Sequence, residues 1–251
     1  MKNYILADCR RVLTSRAHII EIAVFGVWTT VLAFWKAMSA TGNWNCLAYL
    51  EAISFPMSMM AMFLGMFVLI GVFSEDFKAK TMQVAIGRGI SRAQVVAVKL
   101  IDVTLVMLID LVMFIVLTLA LSFVTGAPLA GTQLVGHLID FLVQWLECAG
   151  YTALVLTLLF HLQNMLVPIL IYILFSSRAV YSILRMLTFW GPEWVQKLQL
   201  ESYTLDACLD TLRTHLVLGQ LNPGALVGTG VYLGLGYLIA VYVFRRKELE
   251  F

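Results

Sequence analysis

An all-α, polytopic membrane protein is the fold class this sequence predicts, and three observations predict it. The 251 residues are 61% hydrophobic and 13% charged with a mean hydropathy of +0.90, too apolar for a soluble globule and too sparsely charged for disorder. Apolar runs near the ~20 residues that a helical span needs recur along the chain. Basic residues gather between alternate runs, as the positive-inside bias requires. A single membrane domain over 1–251 follows. A formal net charge of +2 gives no basis for a nucleic-acid partner. Cys9, Cys46, Cys148 and Cys208 are scattered, with no Cys-x-x-Cys pair and no Cys/His cluster at ligand spacing, so no metal is expected.

The first element is an amphipathic N-terminal helix over 1–16. Tyr4, Ile5, Val12 and Leu13 recur at helical spacing, while Arg10, Arg11 and Arg16 reach toward lipid phosphates. A signal peptide is not expected, because the apolar run that follows exceeds a signal core and no small-residue cleavage site ends it. Six spans are then counted, near 17–38, 53–73 (with Pro56 in its first turn), 100–124, 134–160, a fifth after the polar break at 161–164, and 225–244.

Charge orients them. With both termini in the cytoplasm, Lys2, Arg10, Arg11, Arg16, Lys78, Lys80, Arg88, Arg92, Lys99, Arg245, Arg246 and Lys247 lie inside, 12 of the 17 Lys and Arg. Arg185, Lys197 and Arg213 run against the pattern, diluted by Glu193, Glu201, Asp206 and Asp210. Residues 188–222 read as short external helices lying at the outer leaflet before the last span. Phe189, Trp190 and Trp194 flank Gly191-Pro192 there, and such rings favour the membrane–water boundary.

The segment 74–99 is unusually structured for a loop. Glu75 and Asp76 open it, and 81–86 carries Met82, Val84, Ala85 and Ile86, enough for a short helix with an apolar side. Gly87 and Gly89 permit a sharp change of direction. Ser91-Arg92-Ala93-Gln94 is a capping box that starts the next helix. A short surface helix, a hinge and a capped helix can transmit force.

Glu75, Thr81, Ile86, Gly89, Ser91, Arg92 and Lys99, in this order between spans two and three, resemble ABC-transporter permeases with the type-2 exporter membrane domain. The layout of the whole chain and the basic FRRKEL ending at 244–249 are similar too. The likeness is greatest to the permeases of bacteriocin immunity and peptide-toxin export. Lys80 departs from it, standing where many members have Gly. The resemblance implies a cytoplasmic coupling segment over 74–99, resting on a separate ATP-binding subunit through Glu75, Asp76, Thr81, Met82, Ile86, Arg88, Ser91, Arg92 and Lys99. Glu75 and Arg92 would brace it as an ion pair. It further implies a second permease copy, a bacterial-type cell membrane and no enzymatic activity or cofactor in this chain, with ATP and Mg on the partner subunit. The chain contains no Gly-x-x-x-x-Gly-Lys-[Ser/Thr] phosphate loop of its own.

The expected substrate is an amphipathic peptide. Met57, Met59, Met60, Met62 and Met66 make span two an adaptable apolar surface, and Met59, Met62 and Met66 are assigned to a substrate path beside Asp110, Asp140 and Glu147. Core packing is the competing reading for the Met residues, and bonds to neighbouring helices for the carboxylates. Asp102 is read as facing water, and Glu21 as lying near the inner boundary with no special role. Export of small hydrophobic drugs and a regulatory or structural membrane subunit without transport are the alternatives. A membrane-embedded protease would need paired glutamates and intramembrane histidines, whereas His18, His137, His161 and His215 are dispersed.

Overall fold

The computed structural model describes residues 2–40, 42, 44–79 and 81–246, with the side chains of Lys2, Glu75, Lys78 and Ala79 outside the description. Among the described residues every regular element is helical. In order they are α1 (Lys2–Leu13), α2 (Arg16–Ser39), α3 (Cys46–Ala79), α4 (Thr81–Gly87), α5 (Arg92–Val124), α6 (Gly131–Leu162), α7 (Leu166–Ser176), α8 (Ala179–Trp190), α9 (Glu193–Leu198), a 3₁₀ turn (Leu200–Tyr203), α10 (Leu205–Val217) and α11 (Pro223–Arg246).

Among the described residues five helices are long and apolar enough to cross a membrane: α2, α3 up to Ser74, α5, α6 and α11. The expected fifth span is not one straight helix. With 11 residues, α7 is about 16 Å long, roughly half a hydrocarbon core. It meets α8 at a bend of 54°, and only the pair together reaches spanning length. Arg178, at the bend, adopts the left-handed conformation with φ 58°.

Local chemistry sets the other boundaries. The side chain of Asn45 accepts from the Leu47 and Ala48 N–H groups at 3.0 Å each, so α3 starts well before the span-two run at 53. Pro56 consequently lies inside the helix, not in its first turn. The expected capping box is present: Ser91 Oγ accepts from Gln94 N–H at 3.3 Å, and Gln94 Oε1 accepts from Ser91 N–H at 2.9 Å. Gly89, with φ 89°, makes the turn before it, a conformation that costs a side-chain-bearing residue, whereas Gly87 ends α4 without positive φ.

The chain folds back so that α1, the end of α3, α4, the start of α5 and the ends of α6 and α11 gather at one end of the bundle. Phe160 meets Phe73 at 6.0 Å and Phe244 at 4.4 Å between ring centroids. The Tyr237 hydroxyl donates to the Ala93 carbonyl at 3.3 Å. At the opposite end the Tyr49 hydroxyl donates to the Thr118 carbonyl.

Gly236 lies against the Ala153 backbone, where a Cβ would sit 2.7 Å from the Ala153 carbonyl carbon. Together with Phe160 on Phe244, this close approach shows that α6 and α11 run parallel. Residues 163–222 therefore carry the chain back to the end of the bundle at which α6 began. The short helices of 188–222 are expected at the outer leaflet, capping the bundle, and one of them, α10, packs against α6 and α11. Leu205, Leu209 and Leu212 are buried there, while Phe189, Trp190 and Trp194 stay exposed.

Candidate functional site

The residues assigned to coupling separate into two groups. Asp76, Lys99 and Thr81 point inward and meet each other. Lys99 Nζ is held by both Asp8 of α1 and Asp76 at the end of α3, and the Thr81 hydroxyl donates to Asp76. Arg11 Nη2 adds ion pairs to Asp8 at 3.3 Å and Asp76 at 3.7 Å, and donates to the Val72 carbonyl at 3.1 Å. The Tyr4 ring lies 5.1 Å from the ammonium. Two carboxylates and two cations thus balance in a junction that ties α1, α3, α4 and α5 together.

Sequence periodicity found the apolar stripe of α1 but not Asp8, which lies on the same buried face. Asp102 does not face water, as expected, but is fully buried and accepts from the Cys9 thiol at 3.8 Å. Burial, then the Asp102 charge, push that thiol up to about 11, so at neutral pH it is the protonated donor the contact requires.

Met82 and Ala85 turn the apolar side of α4 into the bundle, and Ile86 packs against the core. Val84, Gly87, Arg88, Gly89 and Ser91 are exposed and form the outer face. Arg92 donates to the carbonyls of Phe244 and Arg245 at 2.8 and 3.0 Å, closing the C-terminal end of α11. The side chain of Glu75, its expected brace, lies outside the described residues, as do Lys80 and residues 247–251 of the FRRKEL ending.

The half of the bundle away from the junction holds a cavity of about 840 Å³ between α3, α6, the end of α7 and α10. Glu51, Met59, Asp140 and Arg178 are among the residues that line it. Arg178 donates to Asp210 through both terminal nitrogens, at 2.9 and 3.2 Å. Arg213 pairs with Asp140 in the same two-pronged way. Two guanidinium–carboxylate pairs therefore cross-link α10 to the α7–α8 bend and to α6. Behind them Asp206 is buried, with Arg178 Nε 3.9 Å from it. Burial raises the Asp206 carboxyl above the usual range, although Tyr151 and Arg178 pull it down.

Of the residues assigned to the substrate path, Met59 and Asp140 line the cavity. Met62 and Met66 continue the half-buried stripe of Met59 along α3 toward the junction, while Met57 and Met60 are buried. Asp110 and Glu147 do not line it. Glu147 is buried behind the cavity, and Asp110 faces α2. His18 and Glu21, to which sequence reasoning gave no role, meet Asp110 there. A His-x-x-Glu spacing at the start of α2 was the available signal. No protein-family model matches the chain, and no curated protein matches it.

Proposed function

We propose that this chain is the permease subunit of an ATP-driven ABC exporter of the type-2 membrane-domain kind. With a second permease copy it forms the path for an amphipathic peptide, such as a toxin or bacteriocin, across or out of a bacterial-type cell membrane. ATP and Mg act on a separate ATP-binding subunit. The supporting topology has six crossings with both termini cytoplasmic, the α7–α8 pair being the fifth. The parallel run of α6 and α11 favours this count, because an odd number of further crossings must separate parallel spans.

One observation carries the reading: α3 is a single helix of 34 residues joining the cavity wall to the junction. Its first turns bring Glu51 and Met59 to the cavity, and its last turn brings Asp76 to Lys99. At 1.5 Å per residue it is a rod of about 50 Å. Movement of the outer face of α4, at Val84 and Arg88, is passed through Met82, Thr81 and Asp76 into α3 and α5. A buried ion pair whose members all have partners resists shearing better than a solvated one, because separating it strands a charge. The Met59, Met62 and Met66 stripe supplies adaptable apolar contact for the hydrophobic side of a peptide.

The test is reconstitution. The chain, purified with a candidate ATP-binding subunit, should show ATP hydrolysis stimulated by cationic amphipathic peptides. Stimulation by small hydrophobic drugs alone would move the substrate assignment. Stable assembly without stimulation by either would make the chain a regulatory subunit, and failure to assemble with any ATP-binding subunit would end the permease reading.

A further inference from the structure

α2 is a peripheral helix. Ile20, Val24, Val27, Val31 and Trp35 are exposed along it. It rests on α5 through Phe25 against Phe114, with ring centroids 5.1 Å apart, and through Gly26 beside Leu117. Near its N-terminal end a cluster of ionisable groups closes the interface. His18 Nε2 lies 3.2 Å from Asp110 Oδ1, and His18 Nδ1 lies 3.6 Å from Glu21 Oε2. The three side chains are 4%, 0% and 6% exposed, for His18, Asp110 and Glu21 respectively. Among the described residues this is the one ion pair between α2 and α5.

Neighbouring elements bring no counter-charge. α3 carries no ionisable side chain between Glu51 and Glu75. From α6 the Cys148 thiol lies within electrostatic range of Asp110. The Tyr172 hydroxyl of α7 donates to the Ala61 carbonyl. On the α1 side, Cys9 bonds to Asp102 of α5, and Asp8, Lys99 and Arg11 are engaged in the junction. No set of three His, Cys, Asp or Glu among the described residues has the geometry to hold a metal ion.

Proton counting follows from the geometry. A neutral imidazole has one N–H, and an imidazolium has two. Each ring nitrogen has a carboxyl oxygen within ion-pair distance without a formed hydrogen bond, and the imidazolium is the form that carries an N–H on both sides of the ring. Two carboxylates beside one imidazolium leave a surplus negative charge inside the protein, and an unpaired buried charge is strongly disfavoured. One further proton, on Glu21 or Asp110, removes it.

We propose that His18, Glu21 and Asp110 form a proton-binding site within the membrane, and that the proton held beyond the imidazolium sets how firmly α2 docks on α5. The proton comes from water on acidification, forms an O–H bond with a carboxylate oxygen, and returns to water on alkalinisation. Without it Glu21 and Asp110 repel each other across His18, and α2 loosens at the one ion pair that joins it to α5 among the described residues. The site is independent of the transport reading and needs no ATP-binding subunit.

The test uses the full chain in lipid nanodiscs with its native cysteines replaced and spin labels on cysteines at the exposed positions Val31 and Val116. Pulsed EPR should give one narrow distance distribution in acid and an added, longer population in alkali. In Glu21→Gln the surplus charge is gone, so the narrow distribution should persist at both pH values. In Asp110→Asn the polar anchor is lost, and the distribution should be broad at both. A wild-type distribution that ignores pH would overturn the proposal without recourse to any variant. So would a Glu21→Gln protein that keeps the wild-type pH response.

Discussion

Lys99 on α5 and Asp76 at the end of α3 form an ion pair whose side chains are 0% and 1% exposed. Asp8 shares the same ammonium, so removing Lys99 leaves two carboxylates with Arg11 as their one remaining cation among the described residues. Lys99→Met is expected to cost about 3–5 kcal/mol, the range for breaking a buried pair from one side. Adding Asp76→Asn should restore part of that loss. Thermal unfolding in detergent, followed by tryptophan fluorescence, measures both. A loss of only about 0–1 kcal/mol, as for an exposed pair, would mean that water reaches the junction.

Docking and folding should separate at two arginines four residues apart. Arg88 is exposed on the outer face of the α4 turn, so Arg88→Glu should weaken association with the ATP-binding subunit by roughly tenfold, about 1.4 kcal/mol, and leave the melting temperature unchanged. Arg92 bonds the last carbonyls of α11, so Arg92→Glu should lower both quantities. Pull-down titration and thermal melting give the comparison. Equal binding by wild type and Arg88→Glu would remove the α4 face from the contact.

Asp206 makes stability depend on pH in a defined direction. Its folded-state carboxyl is raised, so the stability it contributes is fully present below the unfolded value and is lost as pH rises through the folded one. Asp206→Asn cannot ionise. It should therefore melt above wild type at neutral pH, with the gap shrinking as pH falls toward about 4, the ordinary aspartate value. Melting curves across that window decide it, and a gap that widens on acidification would contradict the assignment.

Sidedness can be read by thiol labelling on a background lacking native cysteines. Cysteines at Arg88 and Gln163 should react from the face proposed to meet an ATP-binding subunit, and those at Gly42 and Gln220 from the opposite face. All four positions are exposed in loops or turns. Gln163 and Gln220 bracket the α7–α10 region. Labelling of both from one face would leave α7 and α8 as a re-entrant loop instead of a crossing.

The sequence made individual elements legible wherever the signal was local. The Ser91–Gln94 box depends on neighbours three residues apart and is present as expected, whereas Arg11 of α1, expected to reach toward lipid phosphates, turns instead to Asp8, Asp76 and the Val72 carbonyl. The start of α3 was missed because hydropathy marks where lipid begins, whereas Asn45 fixes where the helix begins. Partnerships across the chain were not legible. Asp8 and Lys99 are 91 residues apart, and nothing in either helix's periodicity names the other. Asp102 looked solvated because it lies close to the end of a span, yet α1 folds over that end and covers it. Likewise α10 has the composition of a surface helix, and only packing against α6 and α11 reveals its buried leucines.

Because α6 and α11 run parallel, their contact cannot form as a hairpin while the chain is being made. Antiparallel neighbours such as α5 and α6 can pair as soon as both have entered the bilayer, but α11 must wait until the whole intervening stretch has been threaded. α11 is thus the helix that closes this part of the bundle, seating Gly236 against Ala153 and Phe244 against Phe160. It also brings up the carbonyls that Arg92 has been waiting to bond. Until then the start of α5 lacks those acceptors, so a chain that has not yet threaded α11 cannot complete the end of the bundle at which α1, α4 and α5 gather.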